Sequence, residues 1–458
     1  MMNHNFWFAL VVGTTTVVNL AAADEPRAGI DWPQFRGIQA DGISEGKPLP
    51  VEWNAAGRNV QWKTPIPGLA HSSAIVWRDR VFVTTAVPAS GEKQLRVGLY
   101  GDGDSAGDVV EHAFKLYCLD KRNGTVRWER TAASRVPRFR RHTKATHANS
   151  TPATDGRHVI AFFGSEGMYC YDFEGNLKWS KDLGRLDVGP HNAPELQWGF
   201  ASSPIIAQGR IIVQCDVKSS QFIAALDMKD GREIWRTRRN EVPSWCTPTA
   251  FQAGGGWQVL ANGCRDIAAY DLTSGESIWR LSGGGGIPVP APVVADNRIY
   301  LTSNHRPIRE SDPSKPIFVV NVDARGRLKL PEEGESNKYI AWWKQQRGNY
   351  MQTPLIYRGV AYFCADNGML SAFDAAGGEE LFRERLSQAG TGFSASAVAG
   401  DGKVYFTGEE GDIHVLSAGR ALKILAHNKM EEICMATPAL SEGRLYFRSR
   451  DHVLCIGD

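Results

Sequence analysis

Short apolar runs, each ended by a cluster of Asp, Gly, Asn or Ser, recur from about residue 59 to the end of the chain. They predict strands joined by tight turns. The clearest run is Ile223-Ala224-Ala225-Leu226-Asp227, followed by Gly231 and then Trp235. Ile267-Ala268-Ala269-Tyr270-Asp271 with Gly275 and Trp279 repeats it, as does Leu116 to Asp120 with Gly124 and Trp128. Met168 to Asp172 with Gly175 and Trp179 is one residue shorter. Looser copies hold Asp323, Gly326 and, after a longer excursion, Trp343; then Asp374 and Gly378 with Phe382 in the tryptophan place. The Asp can accept hydrogen bonds from the turn, the Gly supplies positive φ, and the next strand brings a large ring to bury against a neighbour.

A second phrase precedes the first. Ser203-Pro204 leads to Gly209-Arg210-Ile211-Ile212-Val213, and Thr437-Pro438 to Gly443-Arg444-Leu445-Tyr446-Phe447. Thr151-Pro152, Thr247-Pro248, Ala291-Pro292 and Thr353-Pro354 start further copies; Ser72-Ser73 and Ser394-Ala395 do so without the Pro. The two phrases together make a unit of four antiparallel strands. Starts near residues 72, 151, 203, 247, 291, 353, 395 and 437 give eight units. The last stops before its fourth strand, while Asn59-Val60-Gln61-Trp62-Lys63 is a spare strand carrying a Trp. Pairing the two closes a ring and removes open edges. The expectation is an all-β, eight-bladed β-propeller of four-stranded antiparallel blades, closed around Trp62.

Composition agrees: 47 Gly and 14 Trp against 8 Met suit many strands and turns. A formal net charge of +2 gives no dominant basic surface, so no nucleic-acid partner is expected. Phe6 to Val12 and Val17 to Ala23 are apolar, and Ala21-Ala22-Ala23 has the small residues of a cleavage site. Gly13, Thr14 to Thr16 and Asn19 argue against the alternative, an uncleaved membrane anchor. The expected organisation is a signal peptide over 1–23, an extended arm over 24–58 with Trp32, Phe35 and Trp53, and the propeller over 59–458. The mature chain is then periplasmic or secreted, without a transmembrane span.

The strand-Asp-x-x-x-Gly-x-x-x-Trp phrase resembles the repeat of the pyrroloquinoline-quinone (PQQ) enzymes, the quinoprotein alcohol dehydrogenase-like family, which also occurs in BamB outer-membrane assembly propellers. Asp31-Trp32-Pro33-Gln34-Phe35-Arg36-Gly37, Trp198-Gly199-Phe200-Ala201-Ser202-Ser203-Pro204 and Leu454-Cys455-Ile456-Gly457 are similar to segments of exported planctomycete-type PQQ-like propellers. The resemblance implies the propeller fold over residues 31–458 and either a dehydrogenase or a non-catalytic binder. PQQ dehydrogenases hold their cofactor under two adjacent, disulfide-bonded cysteines, and no two cysteines are adjacent here. Their calcium carboxylate and catalytic Asp match no local motif, and the lipidated Cys usual in BamB proteins is missing.

The long loops 86–113, 131–149, 184–200, 303–316 and 330–350 are expected on one face, the place for partner binding. There Arg138, Arg140 and Arg141, in the basic run Arg135 to Lys144, can take carboxylate, sulfate or phosphate, or simply face solvent. Trp198 and Trp245 can stack on a flat ligand or pack between blades. His71, His147 and His191 have no metal-ligand spacing, so no metal site is assigned. Glu166, Asp216, Asp366 and Glu409, at corresponding hairpin ends, can ring the channel mouth for calcium or serve their turns. Cys246 and Cys264 fall on strands whose pairing would set them opposite each other, giving a possible disulfide. The expected function is a non-catalytic scaffold that binds a protein or an anionic glycan on this face. No catalytic or cofactor-binding residue is assigned. The alternative is a PQQ-dependent oxidoreductase using PQQ with calcium.

Overall fold

In the computed structural model, residues 25–91, 94–99, 103–304, 308–387 and 390–457 are described. The expected signal segment lies outside them. Eight antiparallel sheets follow one another in chain order, each one blade. Blade 3 shows the pattern. Ile205–Ala207 pairs with Arg210–Asp216, which pairs with Gln221–Asp227, which pairs with Glu233–Arg238. The two middle strands are almost wholly buried, whereas the outer one alternates half-buried and exposed positions. Middle strands are therefore apolar throughout, and outer edges carry charges such as Arg236 and Arg238 that discourage edge pairing.

The turn phrase does what its residues dictate. Asp227 Oδ1 accepts from the Lys229 amide at 2.9 Å, and the Gly231 amide donates to the Asp227 carbonyl at 2.9 Å. The tryptophan of one blade then lies against the turn glycine of the next. Trp179 meets Gly231 and Trp235 meets Gly275, and each indole donates to a turn carbonyl, Met228 at 3.1 Å and Leu272 at 3.0 Å. A bulge in the strand pair sets each ring opposite a small or branched residue, as in Ala225 with Trp235 and Cys118 with Trp128.

Blade 5 corrects the sequence reading. Its outer strand is Ile340–Lys344, and Trp342, not Trp343, takes the slot: it opposes Val319, meets Gly378 and donates to the Ala375 carbonyl at 3.0 Å. Gly326–Arg327 leaves this blade to run parallel to the edge of blade 4, pairing with Trp279 and Arg280. Residues 328–339 consequently connect the third and fourth strands on the turn face. Only the last part of the expected 330–350 loop belongs to the other face.

Val60–Pro65 pairs with His452–Ile456 and completes blade 8, as the pattern predicts. Trp62 meets Gly124 of blade 1 and donates to the Lys121 carbonyl at 3.0 Å, so the closing joint uses the same ring-on-glycine contact as the others.

The segment before this strand crosses the turn face of the ring. Trp32 bridges to Val76 of blade 1, the Thr154 amide of blade 2 donates to Pro33, and the Ile206 amide of blade 3 donates to Gln34. On the far side, the fully buried Arg36 donates to the carbonyls of Ala397 (2.7 Å) and Pro354 (3.0 Å). Ile43 then bridges to Ala399 of blade 7, and Trp53 donates through its amide to Asn428. Asp31 to Arg36 thereby tie opposite blades together and stopper one end of the channel. Among the described residues, no helix is long and apolar enough to cross a membrane.

Candidate functional site

The other end of the channel is where the blades begin. A belt of hydroxyls joins the first strands here. The amides of Ser73, Thr151 and Ser203 donate to Thr151, Ser203 and Thr247 on the following blade, at 2.9 to 3.0 Å. Ala291, Thr353 and Ser396 donate in the same way to Thr353, Ser396 and Thr437. This explains the Ser or Thr of the second phrase, whose role the sequence left open, except in blade 7. There the belt residue is Ser396 and not the Ser394 read from the sequence, which donates to Glu409. Each hydroxyl satisfies a buried amide that a channel-lining strand cannot pair within its own sheet.

Above the belt lies a cavity of about 690 Å³, with Phe35 of the stopper at its base. Apolar groups dominate its wall: Leu99, Trp198, Trp245, Tyr350, Met351 and Met435. Trp198 and Trp245 pack on each other, with ring centroids 5.7 Å apart and planes tilted by 35°. Both indole N–H groups are satisfied by backbone, at Gly103 (2.7 Å) and Gly199 (2.9 Å). The two tryptophans thus pack between blades and wall the cavity.

A strap formed by the blade 1 insertion at Gly98 and the blade 1–blade 2 connection at Lys144 spans the mouth. Lys144 pairs with Glu409 of blade 7 at 2.6 Å, and the Gly98 amide donates to the other Glu409 oxygen at 2.8 Å. Lys144 also donates to the Gly98 carbonyl, and Ser394 donates to Glu409. The Glu409 side chain has no exposed surface, so its charge is compensated by these partners. His71 holds the strap from below, its Nε2 2.8 Å from the Lys144 carbonyl; burial pushes its pKa down to about 4, so it is neutral.

The remaining candidates are dispersed. Asp216 binds Arg239 at 2.9 Å and accepts from Gln214 and Ser244, holding Gln214 and Arg239, the two side chains that donate to the Asn262 carbonyl of blade 4. Glu166 accepts from the Arg138 amide. Among the described residues, Asp366 is the one carboxylate lining the cavity. Glu166, Asp216, Asp366 and Glu409 form no metal-type cluster among the described residues, so the calcium alternative gains no support. Arg138 pairs with Asp182 at 2.8 Å, and Arg141 is buried against Asp108 at 2.6 Å. Only Arg140 stays exposed with no ion pair among the described residues, so the three arginines do not form one anion-binding patch. All eight cysteines are free and buried. The Cys246 thiol faces the Thr247 carbonyl at 3.2 Å and that of Cys264 the Gly284 carbonyl at 3.9 Å, so the disulfide suggested by strand opposition is not formed. His71, His147 and His191 do not converge. His147 instead meets His112 and Asp108, a grouping whose spacing in the chain gives no signal.

A family model described as outer membrane protein assembly factor BamB matches residues 112–304, 219–329 and 265–458. The chain belongs to this BamB-like family of PQQ-like repeats. The curated BamB of Escherichia coli strain K12 is 21% identical over 233 residues, 49% of this chain. The chain spans about half the length of the curated relatives it matches, 52% of that protein. BamB from Moraxella catarrhalis superposes with a TM-score of 0.52 at 13% identity, covering 81% of this chain and 98% of that one. The quinohemoprotein alcohol dehydrogenase of Comamonas testosteroni gives 0.59 at 11% identity, over 93% of this chain and 81% of that one. Binders and dehydrogenases share this fold, so the BamB-like family supports a scaffold reading while the fold alone leaves chemistry open.

Fit to a quinone cofactor can be judged from the cavity's own donors. Calcium takes six or more oxygen ligands. Among the described residues, Asp366 is the sole carboxylate on the wall, while Asp216 and Glu409 are ion-paired with Arg239 and Lys144. The donor set that the described residues offer does not fit a PQQ–calcium centre.

Proposed function

We propose that this chain is a non-catalytic scaffold of the cell envelope that holds a protein partner against its loop-bearing face. The observation that carries the reading is the cavity: stoppered at its base, walled mainly by apolar groups, and with its flanking charges spent on one another. Such a site receives an apolar side chain better than it activates a nucleophile. Leu99 is 42% exposed and Val136 49%, and both stand in loops of this face. The BamB relatives support an envelope location. Of Arg138, Arg140 and Arg141, only Arg140 has no ion pair among the described residues, which favours a protein over an anionic glycan.

A photo-crosslinking residue at Leu99 or Val136, compared with one at Lys229 on the turn face, tests this in intact envelopes. Discrete cross-linked bands from the first two positions alone are expected. Equal labelling from Lys229 would remove the assignment to this face. Saturable dye reduction after adding PQQ and calcium to purified protein would overturn the non-catalytic reading.

A further inference from the structure

The insertion of blade 1 and the connection from blade 1 to blade 2 meet at a side-chain cluster behind the cavity wall. Asp108, His112 and His147 each direct one ligand-type atom toward the same point, all within 4.8 Å of one another. His147 Nε2 lies 3.6 Å from Asp108 Oδ1, and His112 Nε2 lies 3.8 Å from Asp108 Oδ2. The two imidazoles meet edge to face, with centroids 4.8 Å apart.

Three features separate this cluster from ordinary polar packing. First, His112 Nδ1 lies 2.8 Å from the Val110 carbonyl, which can only accept; the proton therefore sits on Nδ1 and the Nε2 lone pair faces the cluster. Second, His147 Nε2 is buried and has no hydrogen-bond partner, on a side chain only 9% exposed. An orphaned imidazole nitrogen in such a place costs stability unless something binds it. Third, Arg141 makes both of its contacts with Asp108, at 2.8 and 2.6 Å, at Oδ2, leaving Oδ1 facing His147. That is the outer-shell support a ligating carboxylate usually has.

We propose that Asp108, His112 and His147 bind a divalent transition-metal cation of the zinc type, with water completing the coordination. Two imidazole nitrogens and one carboxylate oxygen suit zinc and its first-row neighbours, and exclude calcium and magnesium, which demand mostly oxygen. Ligands at about 2.0–2.1 Å from a tetrahedral ion stand roughly 3.4 Å apart, so the cluster closes by an ångström or so on binding. The ion joins residues 108–112 to 147. Arg141 extends the joint, donating to the Gln94 carbonyl at 2.7 Å and the Ala145 carbonyl at 2.6 Å beside the strap. The role is to lock the strap over the cavity.

The test uses the full chain, stripped with a chelator and titrated with cobalt(II). One equivalent is expected to produce visible d–d bands, zinc to displace them, and zinc to raise the melting temperature. His147→Ala and Asp108→Asn are each expected to weaken cobalt binding by at least about tenfold. The circular dichroism of each variant is compared in chelator to show that it still folds. A variant that fails this check is replaced by His112→Gln. Absence of stoichiometric cobalt bands in the wild-type chain would overturn the proposal. So would bands that persist unchanged in a folded variant, or zinc stabilisation equal in both.

Discussion

Trp235 covers the α-carbon of Gly275 so closely that a methyl group there would sit 2.5 Å from the indole Cε3. Gly275 also has a φ of 75°, a region that costs residues with a Cβ about 1–2 kcal/mol. Gly326 occupies the equivalent turn in blade 5 at φ 73°, but a methyl group there meets nothing within 4 Å. Gly326→Ala is expected to cost about 1 kcal/mol in denaturant unfolding, the backbone share alone. Gly275→Ala adds a clash with a packed ring and is expected to cost about 3 kcal/mol. Equal losses would show that the ring contact is unimportant.

Trp62 makes the same contact at the closing joint, where it decides whether the ring is sealed. Trp62→Ala is expected to cost about 3–5 kcal/mol. It also loosens the pairing of Val60–Pro65 with His452–Ile456, exposing a strand edge. Size-exclusion chromatography at rising temperature should then show association well before the wild-type chain does. A variant that stays monomeric through its whole transition would argue against the edge.

Lys144→Ala leaves Glu409 buried without its cation, a loss expected to be about 3–5 kcal/mol. Lys144→Met with Glu409→Gln removes both charges and should recover most of that. The coupling measured in this double-mutant cycle reports how strongly the strap is held across the mouth.

Burial holds His71 and His414 at about 4, well below the ordinary value of 6.5. A histidine kept neutral in the folded state contributes stability above its unfolded pKa, and that contribution is lost as pH falls. Stability is therefore expected to decline from about pH 6.5 toward pH 4. Glu432 acts lower: burial opposes its ionisation, but Lys63, Ser449 and His452 hold it down at about 2. Its contribution is lost between its unfolded value near 4.5 and pH 2. His71→Phe should flatten the upper part of a melting-temperature profile and leave the lower part intact.

Much of the architecture was legible because each blade is written within a short stretch. Asp227, Gly231 and Trp235 are bound to one another by a local turn and a bulged hairpin, so their spacing survives from copy to copy. Trp342 was misread as Trp343 because the residues inserted in blade 5 break that spacing. Only the pairing of Val319 with Trp342 shows which ring faces Gly378. The arginines failed as a patch for a different reason: exposure is not a property of a charge run, and Arg141 is taken inward by Asp108.

The sequence by itself determined the eight blades, the closing strand at Trp62 and the face on which most of the long loops gather, all consequences of local periodicity. Tertiary structure alone decided the rest. Arg36 reaches Ala397, Lys144 reaches Glu409, and His147 reaches Asp108 and His112. Closing the ring brings opposite blades within reach across the channel, and the loops fold over it. Such contacts join residues whose separation along the chain follows no repeat, so no pattern in the sequence records them.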